Sequence, residues 1–384
     1  MKIVFRKDII CAAVAPLMSG VSTKMTMAAT EGILIEASLP NVCIMTTYDV
    51  EKGVRVTVEA DVIEAGSAIV NATKFSQIVR VMDGGDITLN VDEKNCATII
   101  SGRSSHTLTV LPAKDFPELP RLTSGQGFVA PQKVVRGMMA KCMYAMGVND
   151  QRPVLNGLFF SVSDGKLHMV SCDSFKMATC STATDLVGVE GSEEVESTRF
   201  ILPNKSVSEL YKLISDKDEE ALVTVYTSRK NIVFVMGETT FFSKLIEGEY
   251  IDYNRIILRN HRITLQMDRE ALISALDHAA LITEEKVAGS VRSHVKLEAE
   301  GNTLKISATS GTGSAYDEVQ IEHEGSDITI AFNNRYLIDS LRACNADRIK
   351  LSLSSPLTSI NIEPDDDDIA SEDLFMLLPV RMKE

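Results

Sequence analysis

Three segments of the chain share one pattern, in which a short apolar run precedes an asparagine, a basic residue and an amphipathic stretch. They are Ala68-Ile-Val-Asn-Ala-Thr-Lys-Phe-Ser-Gln-Ile-Val79, Phe200-Ile-Leu-Pro-Asn-Lys-Ser-Val-Ser-Glu-Leu-Tyr211 and Ile330-Ala-Phe-Asn-Asn-Arg-Tyr-Leu-Ile-Asp-Ser-Leu341. Lys74, Lys205 and Arg335 mark the same point in the three segments, at spacings of 131 and 130 residues. Since one third of the 384-residue chain is 128 residues, the pattern predicts three tandem copies of one unit.

Local patterns define the content of each copy. Apolar periodicity predicts helices over 6–18, 72–82, 131–146, 203–215, 267–282 and 332–344, and the predicted N-caps are Asn71, Asn204 and Asn333. Period-2 runs such as Val54–Val62 predict strands, and Asp164-Gly165 and Gly301-Asn302 predict hairpin turns. Each copy is therefore expected to be an α+β unit of two helices and antiparallel sheets. The predicted domains are 1–125, 126–255 and 256–384.

The N-terminal segment has an alternative interpretation. Arg6-Lys7 followed by the apolar run Ile9–Met18 is a weak signal-peptide pattern. Asp8 and Pro16 interrupt that pattern, and the helical spacing of the apolar residues favours an amphipathic helix packed on a core. No apolar run reaches the roughly 18 residues that a membrane-spanning helix needs.

Charge is distributed unevenly along the sequence. The chain has 39 Lys and Arg against 53 Asp and Glu, a net charge of −14, which argues against a simple basic nucleic-acid binder. The six helical windows nevertheless hold twelve basic and six acidic residues, whereas the remainder holds 27 and 47. Solvated Lys and Arg on helices are the ordinary interpretation. Helices that face a polyanion produce the same contrast through phosphate attraction without sequence readout.

The sequence offers no motif for catalysis or metal binding. Seven cysteines with irregular spacing and no CxxC pair predict reduced thiols in a cytoplasmic protein. The six histidines are scattered, and no glycine-rich phosphate loop, GxSxG or HExxH occurs. The run Asp365–Asp368 is interpreted as a solvated loop. We predict no catalytic residue, cofactor or metal, and an enzyme site assembled from distant Ser, His and Asp stays open as an alternative.

Three further regions carry a family resemblance. Leu155–Phe160 with Val170–Ala178, Ile246–Tyr253 with Arg255, and Met376–Met382 resemble the beta subunit of bacterial DNA polymerase III, the sliding-clamp family. The resemblance covers essentially the whole chain and implies that two chains close head to tail into a six-domain ring. Helices line the hole and sheets form the outer wall. Such a ring slides on double-stranded DNA, is placed there by a clamp loader and tethers the polymerase III alpha subunit.

The resemblance also implies a hydrophobic cleft for a short, extended glutamine–leucine–phenylalanine-type peptide. The matching positions are Leu155, Cys172, Ser174, Phe175, Lys176, Met177, Ile251, Arg255, Ile256, Asn333, Tyr336, Leu357, Ser359, Met376, Leu378, Pro379, Val380, Arg381 and Met382. The apolar walls are expected from Leu155, Met177, Ile256, Leu357 and Leu378. Polar contacts are expected from Arg255, Ser359 and the Pro379–Met382 backbone.

Several positions depart from the family pattern. Cys172-Asp-Ser-Phe-Lys-Met177 stands where the family usually has Thr-Asp-Ser/Gly-His-Arg-Leu, and Ile251 stands where it usually has proline. Pro153-Val154 replaces an aromatic pair that contacts DNA in some members, and Lys383-Glu384 extend past the usual end. These departures predict an altered cleft and a shifted peptide preference.

Two more residue sets follow from the charge pattern and the resemblance. The predicted DNA-facing residues are Lys24, Lys74, Arg80, Lys133, Arg136, Lys141, Arg152, Lys205, Lys212, Arg269, Arg335 and Arg342. The predicted homodimer interface places Lys74, Arg103 and His106 opposite Leu281, Ile282, Asp317 and Glu318, an acidic side that is thinner than in better-known members. A clamp-like scaffold that does not encircle DNA is the nearer alternative, and monomeric behaviour at micromolar concentration favours it.

Overall fold

The structure is a computed structural model, and it describes residues 1–22, 27–120, 126–163, 165–184, 186–189, 197–283, 286–287, 290–291, 294–311, 313–366 and 371–382. The α-helices there are α1 Lys7–Leu17, α2 Ala72–Val81, α3 Gln132–Cys142, α4 Asn204–Leu213, α5 Arg269–Thr283 and α6 Asn334–Ala343. Within the described ranges, no helix is long and apolar enough to cross a membrane.

Short strands make up most of the remaining regular structure. They are β1 Lys2–Arg6, β2 Gly32–Ser38, β3 Val42–Tyr48, β4 Lys52–Glu59, β5 Asp61–Glu64, β6 Gly66–Asn71, β7 Asp86–Val91, β8 Cys96–Ser101, β9 Ser104–Thr109, β10 Leu111–Pro112, β11 Gln126–Pro131, β12 Gly157–Ser163, β13 Lys166–Cys172, β14 Lys176–Ala183, β15 Val187–Gly188, β16 Thr198–Pro203, β17 Leu222–Thr227, β18 Asn231–Met236, β19 Thr239–Lys244, β20 Ile263–Asp268, β21 Lys286–Val287, β22 Ser290–Val291, β23 His294–Glu300, β24 Thr303–Thr309, β25 Ser314–Gln320, β26 Glu322–Glu324, β27 Ile328–Asn333, β28 Arg348–Leu353, β29 Ile360–Pro364 and β30 Ser371–Leu377. The chain divides into two compact units: Met1–Lys133 with Leu186–Glu196 and Ser208–Leu245, and Val134–Asp185 with Ser197–Val207 and Ile246–Glu384.

The first unit contains a five-stranded sheet, in the order β5-β1-β7-β8-β9, and a ten-stranded sheet, in the order β10-β6-β2-β3-β4-β19-β18-β17-β11-β15. The larger sheet joins the first and second predicted copies, since β4 pairs with β19 and Val54 lies opposite Phe241. Helix α1 buries Ile10, Val14 and Leu17. The N-terminal segment is therefore an amphipathic helix on a core, as its spacing predicts.

The second unit contains a nine-stranded sheet, in the order β16-β12-β13-β14-β30-β29-β28-β20-β26, a four-stranded sheet, in the order β25-β24-β23-β27, and the pair β21-β22. Its larger sheet joins the second and third copies through β14 and β30, with Met177 opposite Met376. Both predicted hairpins form, between β12 and β13 and between β23 and β24, and Gly301 adopts a positive φ of 53° at the second turn. Asp164 of the first turn lies outside the described residues.

All six predicted helical windows contain a helix, but two details at their starts are wrong. Asn71 and Asn333 cap their helices by accepting hydrogen bonds from the amides of Lys74 and Tyr336, at 3.0 and 3.2 Å. Asn204 is instead the first residue of α4, and its side-chain amide donates to the Gly147 carbonyl at 3.0 Å. Lys74 is the third residue of α2, whereas the basic residues of α4 and α6 are second, so the three do not mark the same point.

Candidate peptide cleft, basic helices and free strand edges

The floor of the predicted cleft lies on one face of β13, β14 and β30. Leu155, Val170, Cys172, Met177 and Met376 form a buried apolar cluster there. Met177 is the register partner of both Cys172 and Met376, and directly opposite residues point to the same face of a sheet. Burial raises the pKa of the Cys172 thiol. Leu155 and Met177 are fully buried, so they support the cleft from below and do not form its exposed walls.

Large apolar side chains remain exposed around this floor. Their exposed fractions are 57% for Phe175, 41% for Ile256, 73% for Leu357, 40% for Leu378, 38% for Val380 and 44% for Met382. All of them belong to the predicted cleft set. A group of exposed large apolar residues on one part of a molecule is typical of a protein-binding surface.

The turn between β13 and β14 aims Phe175 outward. Ser174 adopts a positive φ of 81°, and the Asp173 carboxylate accepts hydrogen bonds from the amides of Phe175 and Lys176, both at 3.0 Å. The Phe175 ring lies 6.4 Å from the ring of Tyr336, and the Lys176 ammonium lies 4.5 Å from that same ring. Lys176 also pairs with Asp173. Two aromatic side chains and one cation therefore build this wall of the cleft.

The C-terminal residues continue from β30 as an extended tail, Leu378–Met382. The Leu378 amide donates to the Phe175 carbonyl at 2.8 Å, and the Val380 amide donates to the Ala331 carbonyl at 2.7 Å. The tail is thus fixed by its backbone, while the side chains of Leu378, Val380 and Met382 remain exposed. Lys383 and Glu384 lie outside the described residues.

The polar residues predicted for the cleft differ in their accessibility. Arg255 is 87% exposed and pairs with Asp252 at 2.8 Å, so its guanidinium is available at the surface. Ser359 is buried, with 5% of its surface exposed, and the Asn333 side-chain oxygen caps α6. Arg255 therefore fits the predicted polar role, whereas Ser359 and Asn333 are occupied inside the fold.

Sequence reasoning missed the aromatic residues that cover the cleft floor. Tyr250, Tyr253 and Ile257 pack against the buried cluster beside the predicted Ile251. Tyr250 stacks on Phe159 at 4.9 Å with an interplanar angle of 7°. Burial raises the pKa of Tyr250, which keeps its hydroxyl protonated. The signal was present in the sequence, since two tyrosines flank Ile251 in the stretch that follows β19.

A polar cavity of about 530 Å³ adjoins the same cluster within the second unit. It shares Val170 and Leu374 with the cluster and is also lined by His168, Arg259 and Glu372. The hydrogen bond from Lys166 lowers the pKa of Glu372, and the two charges pair at 2.9 Å. This shift is what an ion pair produces. It gives no support to the enzyme alternative, which requires a group with a pKa near neutrality.

The predicted DNA-facing residues fall into three groups. Lys74, Arg80 and Lys205 are exposed and form no ion pair with a described residue. Lys133, Arg152, Lys212, Arg335 and Arg342 are exposed but pair with Glu219, Asp150, Glu209, Asp339 and Asp277. Arg136, Lys141 and Arg269 are half-buried, and Lys24 lies outside the described residues. Much of the predicted positive charge is therefore balanced by neighbouring carboxylates.

Lys141 is a correction to the DNA-facing set. Its ammonium lies 2.6 Å from the Asp373 carboxylate, and the two side chains are only 14% and 1% exposed. Arg269 is similar, with 17% of its side chain exposed and a hydrogen bond of 2.7 Å to the Cys344 carbonyl. Neither side chain is free to meet a phosphate in this structure, because each is committed to a partner inside the second unit.

Each unit also ends one of its smaller sheets in an exposed strand. In the first unit β9 pairs, among the described residues, only with β8, and it carries the exposed His106 next to the exposed Arg103. In the second unit β25 pairs, within the same limits, only with β24. The Asp317 carboxylate lies 2.8 Å from His278 there, and that hydrogen bond lowers the pKa of Asp317. Leu281 of α5 is 82% exposed.

Antiparallel sheets and paired helices repeated along one chain, with an exposed apolar cleft and free strand edges, define the class of clamp-type proteins. Family models for the N-terminal, central and C-terminal domains of the DNA polymerase III beta subunit match residues 1–120, 129–252 and 254–378. The chain belongs to the DNA polymerase III beta subunit family, the non-catalytic sliding clamps of that polymerase.

Individual relatives agree with this assignment over the full length. The beta sliding clamp of Staphylococcus epidermidis is 26% identical across 99% of both chains, and that of Staphylococcus aureus is 25% identical across the same share. The DNA polymerase III beta subunit of Pseudomonas aeruginosa matches with a TM-score of 0.89 at 26% identity over all of both chains. The sliding clamp of Bacillus subtilis has a TM-score of 0.91 at 23% identity, also over both full chains.

Proposed function

We propose that two copies of this chain close head to tail into a ring that encircles double-stranded DNA and slides along it in the cytoplasm. The chain would contribute three domains, 1–125, 126–255 and 256–384, and a clamp loader would open and place the ring. The cleft would bind short peptides of the polymerase III alpha subunit and of other replication and repair proteins. The ring tethers the polymerase and performs no catalysis itself.

The observation that carries ring closure is the pair of exposed edge strands. An unpaired strand edge presents a row of backbone donors and acceptors and pairs readily with another edge. β9 and β25 are different strands, so joining β9 of one copy to β25 of the next is a head-to-tail contact that closes when its rotation generates a two-fold ring. His106 and Arg103 on one side face Asp317 and Glu318 on the other with complementary charge.

The charge pattern supports sliding instead of tight binding. Only Lys74, Arg80 and Lys205 of the described helical set are exposed without an ion-pair partner among the described residues. A few phosphate contacts give weak, salt-sensitive attraction. A closed ring is retained by its topology, so weak contacts are sufficient and leave it mobile. The exposed apolar cleft gives polymerase peptides a separate binding surface.

Self-association tests the ring. Leu281→Asp places a charge on a side chain that is 82% exposed in the single chain, so the fold tolerates it while an apolar interface does not. Sedimentation equilibrium should give a dimer for the unchanged 42.0-kDa chain and a monomer for the variant at micromolar concentration. Leu39→Asp, at a residue 63% exposed outside the proposed interface, is the matched control and should stay dimeric. A monomeric unchanged chain would favour the scaffold alternative.

A further inference from the structure

A buried ion pair joins helix α3 to the last strand of the second unit. One oxygen of Asp373 lies 2.6 Å from the Lys141 ammonium, and the other accepts a hydrogen bond from the Cys180 thiol at 2.8 Å. Asp373 is 1% exposed at its side chain. Burial lowers the pKa of Lys141, but the hydrogen bond and charge of Asp373 outweigh it and leave that pKa raised. The pair is therefore charged at neutral pH.

Asp373 lies on the face of β30 that is opposite to the cleft. Leu374 and Met376 contact the buried cluster of the cleft floor, whereas Asp373 and Phe375 occupy the alternate positions. The Phe375 ring lies 6.4 Å from Tyr144, which follows α3 in the chain. Because strand side chains alternate, a shift of β30 by one residue would turn Met376 away from the cleft and bring Asp373 into its apolar floor.

A buried charge has few acceptable positions. Asp373 meets Lys141 and Cys180 only in the observed register, in which it is the direct partner of Cys180 on β14. In a shifted register the carboxylate would face the apolar cluster without an ammonium, which is strongly unfavourable. The neighbouring residues Leu374, Phe375, Met376 and Leu377 are all apolar and discriminate much less between registers.

We propose that Lys141 and Asp373 are positioning residues of the peptide cleft, whose buried ion pair fixes the register of β30 against β14. The pair thereby places Met376 on the cleft floor and starts the tail Leu378–Met382 at the point where Leu378 bonds to Phe175. This inference rests on the proposed peptide-binding function of the cleft. It also gives Lys141 a role that does not involve DNA.

The test separates register from stability. Lys141→Met/Asp373→Leu replaces the pair by apolar side chains, which often preserves stability while removing register specificity. Asp373→Asn breaks the pair on one side. Lys212→Met, which removes an exposed ion pair with Glu209, is the control. Each full-length variant is measured by thermal melting, by fluorescence anisotropy with a labelled Gln-Leu-Ala-Leu-Phe peptide, and by hydrogen exchange over residues 371–382.

The expected results differ between the variants. Asp373→Asn should lower the melting temperature and weaken peptide binding about tenfold. The double variant should recover the melting temperature, yet its peptide affinity should stay about tenfold weaker and its β30 amides should exchange faster. The control should match the unchanged chain in all three measurements.

Two results would overturn the proposal. A double variant that binds the peptide with unchanged affinity would reduce the pair to a contribution to stability. A double variant with a weaker salt dependence of DNA association would return Lys141 to the DNA-facing set. If the unchanged chain does not bind the peptide, the proposed function of the cleft fails, and exchange of the β30 amides alone decides whether the pair sets the register.

Discussion

Phe175 shows how one substitution changes the character of the cleft. A histidine is usual at this family position, whereas Phe175 adds a large ring that is 57% exposed and lies beside Tyr336. The ring is held outward by the positive φ of Ser174 and by the hydrogen bonds that Asp173 accepts. An exposed aromatic side chain next to an apolar floor is a frequent source of binding energy at protein interfaces.

Phe175→Ala should weaken peptide binding without weakening the fold. We expect an affinity about tenfold lower, since alanine cannot cover the peptide as the large aromatic ring does. The free energy of unfolding should change by less than about 0.5 kcal/mol, because the ring is mostly exposed. Isothermal titration with the same peptide and thermal melting check both values. Equal affinity in the variant and the unchanged chain would show that the peptide does not reach this wall.

Residue-scale features divide clearly into those that sequence can predict and those that it cannot. The motif Leu378-Pro-Val-Arg-Met382 indicates the cleft because those residues are contiguous. The ion pair between Lys141 and Asp373 joins residues 232 positions apart, and neither position carries a motif. Charge alone therefore assigns Lys141 to DNA, which is wrong. A charged residue in the otherwise apolar run of β30 is the one local sign that it needs a buried partner.

At the scale of elements, the C-terminal tail combines two roles. Its backbone closes the edge of the fold through the bonds of Leu378 to Phe175 and of Val380 to Ala331. Its side chains stay exposed at the cleft. The segment therefore depends on the fold more than the fold depends on it, because it follows the last strand and adds no residue to the buried cluster beyond Met376.

Deletion of Pro379–Glu384 should abolish peptide binding and leave the dimer intact. The deletion removes exposed side chains and one backbone bond at the tail, while β30 and the strand edges of both units are retained. Anisotropy with the labelled peptide and sedimentation equilibrium measure the two properties. Deletion of Lys383-Glu384 alone is the control and should keep peptide binding. Normal binding by the longer deletion would remove the tail from the cleft.

Helices are the most predictable elements, and the reason is local. Their apolar residues recur at 3.6-residue spacing, so six windows can be placed without any tertiary information. The start of α4 differs from its prediction because Asn204 bonds to Gly147, a partner outside the local sequence. Strand pairing between copies, such as β4 with β19 and β14 with β30, is equally non-local, and the repeat alone does not reveal it.

For the whole molecule, the charge contrast between helices and the remainder is larger in the sequence than in the structure. Half of the predicted DNA-facing cations are held by carboxylates, as with Lys212 and Glu209 or Arg342 and Asp277. Surface ion pairs of this kind are weak and salt-screened, so a phosphate can compete for the cation. The molecule thus offers a phosphate weak, mobile contacts, in agreement with a ring that slides.

Reversal of four helical charges tests this arrangement. Lys205, Lys212, Arg335 and Arg342 changed together to Glu should weaken association with linear DNA and flatten its dependence on salt. The logarithmic slope should fall by about 0.9 for each phosphate that the variant no longer neutralises. Fluorescence anisotropy across a salt series gives the slope. The control changes Lys94, Lys217, Arg229 and Lys230 to Glu, which alters net charge equally outside the helices. An equal decrease in both variants would mean that only net charge matters.

Retention on circular DNA tests the central claim most directly. The chain is loaded onto a nicked circular plasmid by the clamp loader of its own organism, washed in high salt, and the plasmid is then linearised. A topological ring should remain on the circle and leave the linear form, because phosphate contacts alone fail in high salt. Retention on both forms would show tight direct binding and contradict sliding. Absence from both, with a loader proven active on another clamp, would contradict encirclement.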